Sequence, residues 1–120
     1  MSLSPDLLVK VDQLIKVSQE SFKSFLGDSN CGRYLDVETR MGRKYLKIIN
    51  RVIMHPDDKT DDDGWTVWCF VDKQGNIYKP ATFHKPVKNA RYSLANDESF
   101  TTALKRADWA GKWLYVNKYC

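Results

Sequence analysis

A segment without acidic residues, from Lys73 to Asn96, contains side chains that could bind a polyanion. Its cationic residues are Lys73, Lys79, Lys85, Lys88 and Arg91. Lysine and arginine contact the phosphates of nucleic acids, while aromatic rings stack on unpaired bases. Three aromatic residues, Tyr78, Phe83 and Tyr92, are interleaved with these cations. This pattern favours binding of single-stranded nucleic acid.

Two Lys-Pro pairs stiffen the middle of this stretch, residues 79–91, which we call the basic segment. Pro80 and Pro86 cannot donate to a strand ladder, and each biases the lysine before it towards an extended backbone. The predicted nucleic-acid-binding residues are Lys79, Phe83, Lys85, Lys88, Arg91 and Tyr92. An alternative explanation is structural, because lysine and proline at a sheet edge deter edge-to-edge aggregation.

Few residues have the types and spacing of a catalytic site. Cys69 and His84 could form a nucleophile and base, but Cys69 lies mid-strand between two aromatic residues, where thiols are usually inert core. We therefore expect Cys69 to be buried and unreactive. Asp36 and Glu38 share a strand face and could act as acid and base, although alternating carboxylates are more often a solvated face. No known catalytic motif is present, so we predict no catalytic residues and a non-enzymatic protein.

Metal and cofactor sites are also not expected. The stretch HPDDKTDDDG, residues 55–64, is rich in aspartate, but Lys59 stands where a calcium-binding loop needs its first aspartate, and no glutamate closes the loop. We interpret it as a solvated acidic loop. The chain has no CxxC pair, and its two histidines are far apart in sequence, which argues against structural zinc.

The composition is that of an ordinary globular protein. The chain has 120 residues, of which 42% are hydrophobic and 28% charged, and this suits a single domain spanning residues 1–120. No apolar run approaches the ~20 residues that cross a bilayer, and the N-terminus lacks the layout of a signal peptide. Three cysteines without paired spacing suit a reducing compartment. These features predict a cytoplasmic protein that does not associate with membranes.

The first half of the chain predicts a helix and a hairpin. Ser4 is a good N-cap, Pro5 suits the first helical position and Gly27 ends the helix. Its apolar stripe, expected in the core, is Leu7, Val11, Leu14, Ser18, Phe22 and Phe25. Two strands follow around a turn at Met41-Gly42. In the second strand, the face predicted to be core is Leu46, Ile48, Asn50, Val52 and Met54.

The second half predicts another hairpin, a helix and a final strand. In GWTVWCFV, strict alternation puts Trp65, Val67, Cys69 and Val71 on one face and Thr66, Trp68 and Phe70 on the other. Asp72–Gly75 supplies the turn. Asn96 caps a helix, and KWLYV, residues 112–116, has the pattern of a closing strand. We therefore predict an α+β fold: an antiparallel sheet of four to five strands with both helices on one face.

Residues 68–94, WCFVDKQGNIYKPATFHKPVKNARYSL, resemble a motif in small uncharacterised proteins of bacteriophages and other viruses. The matching positions are Cys69, Phe70, Val71, Asp72, Gly75, Tyr78, Lys79, Pro80, Ala81, Pro86, Lys88, Arg91 and Tyr92. The common form has a tryptophan near Phe83, which this chain lacks. The resemblance implies a phage or viral origin, and hence the host cytoplasm, but no particular activity or cofactor.

Two functions follow as hypotheses. The first is binding of single-stranded nucleic acid through the basic segment. The second is a protein-interaction or self-associating module that uses an aromatic sheet face, with Tyr45, Trp68 or Tyr115 exposed. The two hypotheses make different structural demands. Only nucleic-acid binding requires the cations of the basic segment to lie together on a surface that can contact phosphate.

Overall fold

The computed structural model describes residues 3–27, 32–54 and 64–115 and has an α+β architecture, as predicted. Its helices are α1, Pro5–Leu26, and α2, Asp97–Arg106, and a 3₁₀ helix covers Lys112–Tyr115. The strands are β1, Tyr34–Met41; β2, Tyr45–Ile53; β3, Thr66–Asp72; β4, Asn76–Tyr78; and β5, Tyr92–Ser93. They form one antiparallel sheet in the order β1-β2-β3-β4-β5. Residues 55–63, which include every aspartate of the aspartate-rich loop, lie outside the described residues.

Helix α1 begins and ends where the sequence predicts. The Ser4 side chain accepts a hydrogen bond from the Leu7 amide at 3.3 Å, and Gly27 ends the helix with a φ of 60°. The buried residues of the stripe are Val11, Leu14, Ser18 and Phe22. Phe25 departs from the prediction, because its side chain is 69% exposed and its ring only touches that of Trp109.

A β-bulge in β3 changes which side chains enter the core. Ile48 pairs with Cys69, but the next pair is Ile49 with Val67, so Trp68 has no partner on β2. A bulge of this kind turns two consecutive side chains to nearly the same side. Both Trp68 and Cys69 therefore pack in the core below α1. The prediction that their side chains lie on opposite faces of the strand is wrong.

The sheet has one face covered by helix and one that we call the outer face. The core between α1 and the sheet includes Val11, Leu14, Leu46, Ile48, Trp68, Cys69, Val71 and Ile77. The outer face carries Tyr45, Lys47, Ile49, Arg51, Val67, Phe70 and Tyr78, and Trp65 directly precedes β3. The predicted burial of Cys69 is confirmed, and burial raises the pKa of its thiol far above the ordinary value.

The fifth strand does not come from the end of the chain. Residues 112–115, predicted as strand, form the 3₁₀ helix, and β5 is instead the short pair Tyr92–Ser93 beside β4. The reason is packing: the Trp113 ring stacks on Tyr92 and contacts Trp68, with ring centroids 5.1 Å apart in both cases.

None of the helices in the described residues combines the length and apolar character that crossing a membrane requires.

Candidate functional site

The basic segment folds back on itself after β4. The carbonyl of Lys79 accepts a hydrogen bond from the Val87 amide at 2.8 Å, and that of Lys85 accepts one from the Ala81 amide at 2.9 Å. Pro80 and Pro86 form an isolated bridge between the two arms. The segment is therefore a narrow hydrogen-bonded loop whose tip, residues 81–85, is exposed.

The structure divides the predicted binding residues between two places. Lys79 and Arg91 both contact the 3₁₀ helix: the Lys79 ammonium lies 4.2 Å from the Tyr115 ring centroid, and Arg91 Nε donates to the Leu114 carbonyl at 3.0 Å. Phe83 and Lys85 are both at the loop tip, where the Phe83 ring contacts Lys47 of the outer face. Lys88 is exposed between these two groups.

Tyr92 does not belong to a binding surface. Its side chain is 8% exposed, its ring stacks on Trp113, and its hydroxyl donates to the Trp113 carbonyl at 3.2 Å. The aromatic ring predicted to stack on a base is therefore part of the core, because β5 directs it towards the helix-covered side of the sheet.

The loop tip meets the β1–β2 turn, and together they form a cleft of about 320 Å³, which we call the turn cleft. Its lining residues are Arg40, Met41, Gly42, Arg43, Lys44, Tyr45, Lys47, Phe70 and His84. Four of these carry a positive charge, and among the described residues no carboxylate lines the cleft. The turn cleft is therefore suited to an anion.

Aromatic rings hold Lys47 at the centre of this arrangement. Its ammonium lies 4.3 Å from the ring centroid of Phe83 and 5.9 Å from that of Phe70. Tyr45 packs edge-on against both Phe70 and Tyr78. An ammonium over aromatic faces is attracted by the ring quadrupole and still has N–H groups for an anion.

Neither pair that the sequence offered for catalysis, Cys69 with His84 or Asp36 with Glu38, is assembled as a catalytic site. Asp36 accepts a hydrogen bond from Arg51 at 3.2 Å, and the Glu38 carboxylate pairs with Arg40 at 3.3 Å, so each carboxylate is bound to an arginine. Cys69 faces the core below α1, whereas His84 lies on the outer face. Across residues 3–27, 32–54 and 64–115, no group of three His, Cys, Asp or Glu side chains is placed to hold a metal ion.

A network around Asp72 fixes the hairpin between β3 and β4, just beside the turn cleft. One carboxylate oxygen accepts hydrogen bonds from the amides of Gln74 and Asn76, at 3.0 and 2.9 Å. The other accepts from the Asn76 side chain at 3.1 Å and from the Tyr78 hydroxyl at 2.9 Å. Burial of the phenol and its contact with the Asp72 carboxylate raise the pKa of Tyr78 from 10.0 to about 12.

This shift predicts a late alkaline titration of Tyr78. The folded state keeps the phenol protonated, whereas the unfolded chain releases that proton near pH 10. The free energy of unfolding should therefore fall as pH rises from about 10 to about 12. The tyrosinate absorbance of the native protein and of Tyr78→Phe should be titrated with pH. The difference between the two curves should correspond to one tyrosine with a midpoint near pH 12. A difference step near pH 10 would contradict the proposed network.

The cations of the β1–β2 turn were missed in the sequence because they are distant from the basic segment along the chain. A signal was present: in RMGRK, residues 40–44, basic residues flank the turn glycine on both sides. The turn is closed by a hydrogen bond from the Gly42 amide to the Tyr45 carbonyl at 2.9 Å. Only the fold shows that this turn and the loop tip share one cleft.

Together these features define a class: an α+β domain with an antiparallel meander, a helix on one face, and a cationic cleft at the edge of the other. A family model described as a family of unknown function, DUF7717, matches residues 6–116. The chain belongs to this family. No curated protein and no solved structure proved similar to it.

Proposed function

We propose that this protein binds single-stranded nucleic acid, with phosphates held in the turn cleft and at the loop tip. The observation that carries the proposal is one cleft that four cationic side chains line and, in the described part of the chain, no carboxylate does, with the partly exposed Phe83 ring against one of those cations, Lys47. Lysine and arginine supply sequence-independent phosphate contacts, and a neighbouring aromatic ring can stack on a base.

Arg43 and Lys44 are the side chains best placed for the first contacts with a phosphate. Both are exposed on the β1–β2 turn, and within the described part of the chain neither forms an ion pair. Arg40 contributes less charge, because Glu38 pairs with it. Lys47 lies deeper in the cleft and is held by the rings, so it provides a fixed donor.

The remaining cations of the basic segment extend this surface along the loop. Lys85 is the last residue of the tip, and Lys88 is exposed on the returning arm. Lys79 and Arg91, at the 3₁₀ helix, would meet only a strand long enough to follow the whole loop. The expected footprint therefore starts at the turn cleft and runs outward along the basic segment.

Titration of a labelled mixed-sequence oligonucleotide, single-stranded DNA or RNA, at several salt concentrations tests the proposal. The logarithm of the affinity should fall with log salt with a slope of about −0.7 per phosphate contact. Arg43→Gln and Lys44→Gln should each weaken binding and reduce the slope by about one contact, with similar losses for all sequences. Lys88→Gln should have the same kind of effect on longer strands.

Lys16→Gln is the matched control. Lys16 is an exposed lysine on α1, which covers the opposite side of the sheet, so its loss changes net charge equally without touching the cleft. Equal weakening by Lys16→Gln and Lys44→Gln would mean that only net charge matters. No salt-dependent binding at low ionic strength would end the proposal.

A protein-interaction module is the second candidate, and one observation favours it. Large apolar side chains are exposed on α1, namely Leu8, Val9 and Phe25. The predicted aromatic sheet face offers less, because Trp68 is in the core and Tyr45 packs against two other rings. Sedimentation of the wild type and of Val9→Ser would detect self-association through the helix.

The phage origin inferred from the motif stays a prediction.

A further inference from the structure

A second, mostly apolar cleft lies on the other side of Phe83 from the turn cleft. It has a volume of about 280 Å³, and we call it the apolar cleft. Its lining residues are Trp65, Thr66, Val67, Pro80, Ala81, Thr82 and Phe83. One wall is the first half of β3 and the other is the loop tip. Ligand pockets for drug-sized molecules are roughly 300–1,000 Å³, so this cleft suits a single flat ring system.

The polar side chains of the apolar cleft are already engaged within the protein. The Thr66 hydroxyl donates to Asn50 Oδ1 at 2.9 Å, and the Thr82 hydroxyl oxygen accepts from the amides of His84 and Lys85, both at 3.1 Å. What remains for a ligand is chiefly aromatic and aliphatic surface. An occupant would therefore be recognised by stacking and packing rather than by the pattern of its donors and acceptors.

Phe83 and Lys47 join the two clefts. Phe83 lines the apolar cleft, the next residue, His84, lines the turn cleft, and the Lys47 ammonium lies 4.3 Å from the Phe83 ring centroid. A molecule with an anionic group beside Lys47 thus brings its attached ring system to Phe83. A nucleotide within a single strand has this combination of a charged backbone and a flat, weakly polar ring.

We propose that the apolar cleft takes one unpaired base of a strand whose phosphate is held in the turn cleft. The inference rests on the proposed function and specifies its substrate. Bases in a duplex are stacked on both faces and have no free face to offer, so single strands are bound in preference to duplexes. Because the cleft offers few free hydrogen-bonding groups, any of the four bases is accepted.

Contacts within the protein order both walls of the apolar cleft in the absence of a ligand. The bridge between Pro80 and Pro86 and the hydrogen bonds between the two arms fix the shape of the loop that carries the tip. On the opposite side, the Arg51 guanidinium lies 4.3 Å from the ring centroid of Trp65 and restricts that ring. A preformed cleft loses little conformational entropy on binding.

Abasic oligonucleotides test the inference with the wild-type protein. An oligonucleotide and its fully abasic counterpart have the same phosphates, so they should share one salt slope but differ in affinity. Base stacking on a protein ring is commonly worth a factor of about 5 to 150, and we expect the intact strand to bind tighter by a factor in this range. A duplex of the same sequence should likewise gain nothing from its bases, although its higher charge density gives a steeper slope of about −0.9 per phosphate contact.

Phe83→Ala supplies the second measurement. It should weaken binding of the intact strand by a similar factor and binding of the abasic strand much less, since the abasic strand loses only the support that the Phe83 ring gives to Lys47. The salt slope should stay nearly the same, because no cation is removed. Phe25→Ala, at an exposed ring on α1, is the matched control and should change neither. Equal affinity for intact and abasic strands would overturn the base site and leave phosphate binding intact. Absence of binding to both would overturn the proposed function as well.

Discussion

Replacing Arg51 with alanine is expected to lower the free energy of unfolding by about 3–5 kcal/mol. Its Nε donates to Asp36 Oδ2 at 3.2 Å between β2 and β1, and the two side chains are only 7% and 15% exposed. The substitution would leave the Asp36 carboxylate in a largely dry site without this counter-charge. It would also remove the cation that lies over Trp65. Urea denaturation, followed by far-ultraviolet circular dichroism, measures the loss.

Arg40→Ala is the matched control for this prediction. Arg40 is also an arginine of the outer face that pairs with a β1 carboxylate, but its pair with Glu38 is 45% and 51% exposed. Exposed pairs contribute about 0–1 kcal/mol, so the control should lose little stability. The double variant Arg51→Met with Asp36→Leu should recover much of the loss, because it removes both charges together. Equal small losses from Arg51→Ala and Arg40→Ala would refute the argument.

Gly75→Ala is expected to lower the free energy of unfolding by about 2–4 kcal/mol. Gly75 ends the turn between β3 and β4 with a φ of +91°, which L side chains rarely adopt. An added Cβ would also lie 2.9 Å from Leu7 Cδ2 and 3.3 Å from Leu94 Cβ. Two costs therefore combine, backbone strain and overpacking between α1 and the turn. Thermal and urea unfolding of the variant measure their sum.

Gly111→Ala separates these two costs. Gly111 is buried and has a φ of +82°, but the nearest atom to an added Cβ, Trp68 Cδ1, is 3.9 Å away. It should show the strain alone, on the order of 1 kcal/mol. Adding Leu7→Ala to Gly75→Ala should relieve part of the clash, so the double variant should lose less than the sum of its parts. A loss at Gly75 no greater than that at Gly111 would remove the packing argument.

Local chemistry explains which parts of the fold could be predicted from the sequence. The N-caps Ser4 and Asn96 satisfy free amides at the helix starts, and Asp72 organises the turn that ends at Gly75. These signals act within a few residues, so their effects are visible in a short window. The bulge at Trp68 is different, because it is set by pairing with β2, and a strand that is apolar on both faces carries no alternation to reveal it.

The candidate site was predicted in part for the same reason. Charge and prolines marked the basic segment, and Phe83 and Lys85 do lie at its exposed tip. Arg43 and Lys44 lie on the turn between β1 and β2, whereas the loop tip follows β4. They share a cleft only because the fold brings this turn and this loop together. Tyr92 shows the opposite error. Its position among cations suggested a surface residue, but its ring stacks on Trp113 in the core.

The strand order also determines how the chain can assemble. Every strand pairs with its neighbour in sequence, so the sheet grows through local loop closures, whose entropy cost rises only slowly with loop length. Helix α1 is joined to the rest by distant contacts, such as the bond from Lys10 Nζ to the Leu94 carbonyl, 84 residues along the chain. The turn cleft is formed without α1, from β1 to the tip of the basic segment. The candidate binding surface thus belongs to the part of the molecule that sequential pairing alone can build.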